Sequence, residues 1–503
     1  MRPILTLGFV ICALSAGGLG ADQDSVPAHP SQLKFPERQI QLPSAENRRF
    51  QFENGPVVYL AEDHTLPLVD LTLALPVGSF LDPPDQIGLA YLTGSQIRRG
   101  GAGSLDATQF DDLVDDLGSR LNTLAGTTRS GATLSVPSWA LDEGLDLLFA
   151  MLIEPQFQQD RLDTARSNLV ESMTRRNEDA LEVLEREWEW LMYGEEHFSN
   201  RPMTPTSLQG LGRQELMDLH RRCWRPGQMI LAVSGDFDAE SLLSNLESRF
   251  ALWPVIEPAA VATPVWPPPA PRPSATPGLF HYEMDVPQAK VMMGHRLPSL
   301  LDWTDTDRFV LTVLAEILGG QGAISRIAGR LRTAEGLVYR ASAQLLLGDL
   351  WPGELRIFFD TQSRSVSRAV ELAAAEVERL RTEPIHPKEL DLVKQSLLAR
   401  LRLDFDTAEE IAGYFAEDEL LGRPHSYWQN YLEGVSSVTV NDVRVAAKTY
   451  LQPSEFTILV VGRWSEIAAG QTPGTSDLER VIGRPVGHLP ARDPLSLKAL
   501  STD

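Results

Sequence analysis

The sequence predicts an α+β protein built from two homologous α/β rolls, each a mostly antiparallel sheet covered by helices. Three observations predict it. At 503 residues the chain is too long for one ordinary core. A proline-rich stretch divides it near the middle, and the sequences on either side repeat one another in the same order.

The dividing stretch, residues 254–277, holds nine prolines, among them Pro267, Pro268 and Pro269, with few charges. Such a composition gives an extended linker of polyproline character. Before it stands "WRPGQMILAVSGDFD" and, late in the second half, "LQPSEFTILVVGRWS". Pro226 and Gly235 match Pro453 and Gly462 at an offset of 227 positions, each pair bracketing a turn, an apolar strand and a glycine turn. "LDTARSNLV" from Leu162 matches "LDLVKQSLL" from Leu390, both with apolar residues at helical spacing. "LDPPDQ" from Leu81 echoes "LDWTDT" from Leu301. Ordered matches at nearly constant offset mark an internal duplication.

Within the first half, strands are expected from Pro56, Val69 and Gly131. Helices are expected over Asp106 to Leu117, Ala140 to Leu152 and Asp160 to Arg176. Runs of strands followed by helices place both halves in the α+β class. The expected organisation is a leader over 1–21, a first domain over 40–253, the linker over 254–277, a second domain over 278–467 and a tail over 468–503.

Composition narrows the function classes. The chain is 43% hydrophobic and 22% charged, as folded globular proteins are, with a formal net charge of −23. That balance argues against nucleic acid or an anionic membrane surface as partner. Arg2, the apolar run from Ile4 to Leu14 and the small residues through Ala21 read as a secretory signal. No later stretch is long enough to span a membrane. An exported protein, periplasmic or secreted, is expected, with no membrane span after signal cleavage. Cleavage would leave only Cys223, so no internal disulfide is expected.

Specific segments carry a resemblance. "VGSFLDPPDQIGLAYLTGSQIRRGG", "LMYGEEHFSNRPMTPTSLQGLGRQELMDLHRRCWRPGQMILAVSGDFD" and "ILGGQGAISRIAGRLRTAEGLVYRASA" resemble the insulinase/pitrilysin zinc peptidases. The likeness is strongest to their short, two-domain members related to the mitochondrial processing peptidase. It runs from about Leu42 to Glu466. In that family two histidines of an H-x-x-E-H helix grip zinc, the glutamate activates water, and a later glutamate completes the ligands. Here Tyr91 stands at the first histidine, Gly94 at the base glutamate and Ser95 at the second histidine. Glu171 alone keeps its ligand position. A phenol, a hydroxyl and a bare Cα are no substitute for two imidazoles and a carboxylate. Of the nine histidines no two lie within five positions, so no such pair exists elsewhere. Glu171 is therefore expected to be a solvated or hydrogen-bonded helix carboxylate, and the chain to hold no zinc and catalyse nothing alone. No G-x-S-x-G elbow, P-loop or dinucleotide fingerprint offers another chemistry.

The second half retains something. The family carries an arginine and a tyrosine seven residues apart in the half opposite the zinc, and in "GRLRTAEGLVYR" these fall on Arg332 and Tyr339. The resemblance implies that the pair reaches over a bound peptide and donates hydrogen bonds to its carbonyl. The competing expectation is a charged helix end followed by a strand tyrosine packed in the sheet. The resemblance also implies half of a clamshell: a non-catalytic, substrate-binding subunit paired with a homologous zinc-bearing chain around a peptide. A binding or scaffold protein on the same fold is the alternative.

Overall fold

The computed structural model describes residues 41–53, 55–254, 275, 277–320, 325–470 and 478–500. The leader expected over 1–21 lies outside them, as does almost all of the linker expected over 254–277. Among the described residues no helix is long and apolar enough to cross a membrane.

Two six-stranded sheets carry the described chain. The first holds β1 (Arg49–Gln51), β2 (Val57–Glu62), β3 (Leu68–Leu75), β4 (Arg120–Ala125), β5 (Ser130–Pro137) and β6 (Ile230–Gly235), ordered β1-β2-β6-β3-β5-β4. The second holds β7 (Gly278–Glu283), β8 (Ala289–Arg296), β9 (Val338–Leu346), β10 (Glu354–Thr361), β11 (Thr457–Gly462) and β12 (Val486–His488), ordered β12-β7-β11-β8-β10-β9. Strand for strand the order repeats. β2 lies parallel to β6 as β7 does to β11, and the next three strands of each sheet are antiparallel. Neither sheet closes into a barrel, so β4 and β9 are outer edges.

The outermost strand on the other side breaks the symmetry. β1 precedes β2 in the chain and pairs antiparallel, whereas β12 comes from the C-terminal segment and pairs parallel with β7. Residues 468–503, expected as a tail, are thus partly built into the second sheet. Among the described residues the second half has no counterpart of β1, and β12 pairs with backbone groups of β7 on that side.

Alternation explains the inner face of each sheet. In β3, Val69, Leu71, Leu73 and Leu75 are buried in the half's own core, together with Leu145 and Leu148 of the helix Leu141–Ile153. β2 does not alternate: VVYLA is buried throughout, as befits a strand covered on both faces. Its second face, with Val57, Tyr59 and Ala61 beside Ile230 and Ala232, is covered by the other half. The helix Ala408–Leu421 lays Ala412, Phe415, Ala416 and Leu420 upon it. The exchange is reciprocal. The helix Ala180–Tyr193 of the first half covers Tyr282, Met292, Leu459 and Val461 of the second sheet with Val183, Leu184, Trp188 and Met192. The two helices begin at equivalent points of the duplication, capped by Asp179 and Thr407, whose side chains accept from backbone N–H groups of the first turn.

Polar bonds fix how each exchanged helix sits. Glu419 accepts from Tyr59 Oη at 2.7 Å and from both Nε and Nη2 of Arg49 at 2.9 Å. Arg49 holds the Glu419 carboxyl below its usual range. On the other side Trp188 Nε1 donates to Glu354 at 2.9 Å, and Arg356 bridges Glu354 and Glu189, the latter at 2.5 Å. Glu354 is fully buried, and burial outweighs the Arg356 pair to push its carboxyl up to about 7.

Two outcomes test this joint. Trp188→Ala removes a fully buried indole and is expected to cost about 3–5 kcal/mol in urea unfolding, weakening both halves together. Because Glu354 keeps its proton in the folded state to a higher pH than in the unfolded chain, its contribution to stability declines as pH climbs from the usual glutamate range to about 7. Glu354→Gln removes that titration. Its stability relative to wild type should therefore rise over the same window, by at most about 3 kcal/mol, as read by melts at several pH values.

Candidate functional site

The helix Leu89–Arg99 carries the positions of the degenerate motif. It starts at Gly88, whose φ of +106° and close neighbours Leu208 and Met203 both exclude a side chain. Its first turn has no cap from the residue beside it. Asp82 reaches in instead, accepting from Gly88 N–H and Ala90 N–H at 2.8 Å each. Burial pushes the Asp82 carboxyl up to about 6. Arg201 ties the same loop from outside, donating to the carbonyls of Asp82 and Ser79 at 2.9 Å each.

One turn on, the three motif positions share a face of the helix, as residues at i, i+3 and i+4 must. Tyr91 is 41% exposed and lines a cleft, Gly94 is buried, and Ser95 is partly buried. Gly94 is where β4 comes closest: a Cβ placed there would lie 2.6 Å from the Cβ of Ala125. The strand leaves no room there for a larger side chain. Glu171, on the neighbouring helix Gln159–Thr174, has a side chain 72% exposed and meets Arg175 at 3.6 Å. It is a solvated helix carboxylate in an i,i+4 pair. These residues do not fit zinc. The donors are a phenol and a hydroxyl, the glutamate faces solvent, and the base position has no room. Among the described residues no three His, Cys, Asp or Glu side chains converge elsewhere for a metal.

The cleft beside Tyr91, about 470 Å³, lies between the end of β4 and the exchanged helix Ala180–Tyr193, which contributes Arg186, Glu189 and Trp190. Glu189 also lines a second cavity of about 400 Å³ between the halves, with Tyr193, Trp351 and Glu354. His197 sits at this joint, ringed by Phe198, Tyr193 and Trp351 and bonded to Ser199. Burial pushes its imidazole down to about 4, which suits a neutral packing residue.

In the second half, Arg332 lies exposed on the wide helical turn Gly329–Ala334, which closes by Leu337 N–H to Leu331 O at 2.9 Å. Tyr339 is the second residue of β9, the edge strand, and is 81% exposed. Its exposure has a backbone cause. Val338 pairs with Thr361 and Ala341 with Phe359, so Tyr339 and Arg340 together oppose Asp360. This β-bulge turns both side chains outward. The expectation of a tyrosine packed in the sheet is thereby corrected. Among the described residues neither Arg332 nor Tyr339 makes a side-chain hydrogen bond within the chain.

Sequence reasoning missed Asp82 as a cap, although Leu81-Asp82-Pro83-Pro84 ahead of Gly88 is a usable signal. It also missed Leu497, delivered to the cleft by the C-terminal segment, for which the local pattern offers no sign.

Comparison with known proteins agrees with this arrangement. A family model described as insulinase (peptidase family M16) matches residues 57–206, and one described as the peptidase M16 inactive domain matches residues 210–397. Together they span more than half of the chain. It belongs to the insulinase family, peptidase family M16. A relative within the family, the non-peptidase homolog YmxG of Helicobacter pylori, is 24% identical over 81% of this chain and 91% of its own length. Among solved structures, a peptidase M16 inactive domain from Pseudomonas fluorescens superposes with TM-score 0.73 at 20% identity, over 84% of this chain and 98% of that one. The periplasmic protease PqqL of Escherichia coli superposes with TM-score 0.69 at 13% identity, over 88% of this chain but 49% of its own. With the zinc motif replaced at Tyr91, Gly94 and Ser95, this is an inactive member of the family.

The Gly94–Ala125 contact is directly testable. Gly94→Ala gains about 1 kcal/mol of helix propensity but overpacks against β4 at a cost of about 1–3 kcal/mol, so a lower unfolding midpoint is expected. In an Ala125→Gly background the same change should become stabilising. A Gly94→Ala effect of the same sign in both backgrounds contradicts the contact.

Proposed function

We propose that the chain is the non-catalytic, peptide-binding subunit of an exported, heterodimeric zinc endopeptidase, with zinc held by a homologous partner. One observation carries the reading: Arg332 and Tyr339 stand exposed at the outer edge of the second sheet, with a bulge turning Tyr339 outward. A guanidinium and a phenol so placed can donate to the carbonyl of a peptide lying along β9 as an added strand, and to the oxyanion that develops there. The match to about half of a longer periplasmic protease supports a two-part assembly and an exported location. The chain's own residues then orient the peptide. The partner's zinc would supply the activated water and polarise the carbonyl.

The experiment pairs this chain with a zinc-bearing homologue from its host and follows peptide turnover. Arg332→Ala and Tyr339→Phe each remove a donor without opening a cavity, so folding and association should persist. Turnover is expected to fall about 10²-fold, mainly in kcat, because such bonds strengthen as charge develops. Wild-type turnover in both variants would refute the role of the pair and favour a scaffold. No association with any zinc-bearing homologue would refute the subunit reading itself.

A further inference from the structure

The cleft beside Tyr91 has a charge pattern that neither the lost motif nor the Arg332–Tyr339 pair explains. In a chain of formal net charge −23, three guanidiniums, Arg176, Arg186 and Arg201, line this one cavity. Two of the charges around it are already balanced. Arg186 meets Glu187 at 3.1 Å, and Glu189 meets Arg356 at 2.5 Å.

Arg176 and Arg201 are different. Among the described residues neither has a carboxylate within ion-pair distance, and both donate to backbone carbonyls, Arg176 Nη1 to Met203 O at 2.8 Å and Arg201 to Asp82 O and Ser79 O. The Nε of Arg201 is buried without a partner. Burial pushes both guanidiniums below their usual range. Asp82, behind Arg201, has both carboxylate oxygens committed to the helix start. Glu182 also lines the cleft, but it is exposed. Asp82 still acts on Arg201 through its charge, but burial outweighs it. Partly desolvated cations with no carboxylate in ion-pair contact favour an anion that enters with its own hydrogen-bond acceptors.

The remaining wall mixes polar residues, Ser79, Thr127, Ser199 and Asn200, with an apolar side formed by Trp190, Met203 and Leu497, and part of that side comes from the far end of the chain. Arg492 forks onto the buried Glu187 at 2.9 and 3.2 Å, lies 4.3 Å over the Trp190 ring, and receives Asn177 Nδ2 on its carbonyl at 2.7 Å. This anchor delivers Leu497, 5% exposed and held at a φ of +54°, to the cleft beside Trp190 and Met203.

We propose that this cleft binds a peptide carboxylate at Arg176 and Arg201, with the adjoining apolar side chain against Trp190, Met203 and Leu497. The inference rests on the peptide-binding reading and names the chemical group that the first half takes. A C-terminal carboxylate and an acidic side chain share that chemistry.

The test measures binding of three fluorescein-labelled hexapeptides to the mature chain by anisotropy. One ends in leucine as the free acid, one is its carboxamide, and the third is a carboxamide with glutamate before the leucine. At least one acid is expected to bind about tenfold tighter than the neutral carboxamide, and which one does identifies the source. Arg176→Gln should erase that preference, with an unchanged melting temperature reporting a folded chain. Leu497→Glu, which brings a carboxylate to the same wall, should erase it independently. Equal affinity for all three peptides overturns the proposal and leaves the subunit reading intact. No binding of any of them overturns it as well, and the turnover of the Arg332→Ala complex then decides the subunit reading separately.

Discussion

Everything else in the molecule depends on the reciprocal exchange of two helices. The helix Ala180–Tyr193 closes the second sheet and the helix Ala408–Leu421 closes the first. A strand carrying an unbroken apolar run, VVYLA in β2 or ILVV in β11, has two faces to remove from water, and its own half supplies helices for only one. Either half alone would leave a strip of Val, Tyr, Leu and Ile exposed. The duplication therefore produces two cores that are completed in common. The pins at Glu419 and at Glu354 then set the direction of each helix, which apolar contact alone does not do.

The exchange also shapes the cleft beside Tyr91. The helix Ala180–Tyr193 packs Trp188 into the second sheet and presents Arg186, Glu189 and Trp190 to the cleft beside Tyr91. On the same helix Glu187 receives Arg492 and so holds the C-terminal segment. One element thus joins the halves, walls the cleft and anchors its far side. A shift at the joint would be felt in the cleft directly, with no intervening loop to absorb it.

Much of the fold was legible because duplication and periodicity are local records of burial. The strands expected from Pro56, Val69 and Gly131 are β2, β3 and β5, and the helices expected over Asp106 to Leu117, Ala140 to Leu152 and Asp160 to Arg176 are present within a residue or two. Periodicity tells which face is buried and not what buries it, so the exchange was invisible, although the unbroken apolar runs hinted that both faces were covered. The placing of the motif at Tyr91, Gly94 and Ser95 is what the family resemblance implies, and residue chemistry adds only that a phenol, a bare Cα and a hydroxyl are poor stand-ins for zinc ligands and a base. The bulge at Tyr339 and Arg340 could not be read from the sequence, because it is a mismatch of register between two strands. The closing of β4 onto Gly94 is a tertiary contact, and the docking of Arg492 and Leu497 spans some three hundred residues from Glu187.

The two halves have parted in physically opposite ways. In the first, β4 lies so close to Gly94 that no side chain fits between them, an ordinary packed helix–strand contact. In the second, Tyr339 remains 81% exposed on a bulged edge strand. Packing a tyrosine of that kind would contribute about 1.5–3 kcal/mol, and a regular β9–β10 ladder would add pairing that the bulge interrupts. A fold relaxing toward stability alone would take both gains. That an exposed aromatic and an irregular edge stand in the second half, whereas the first half is packed tight at Gly94, is the physical reason to look for this chain's function in its second half.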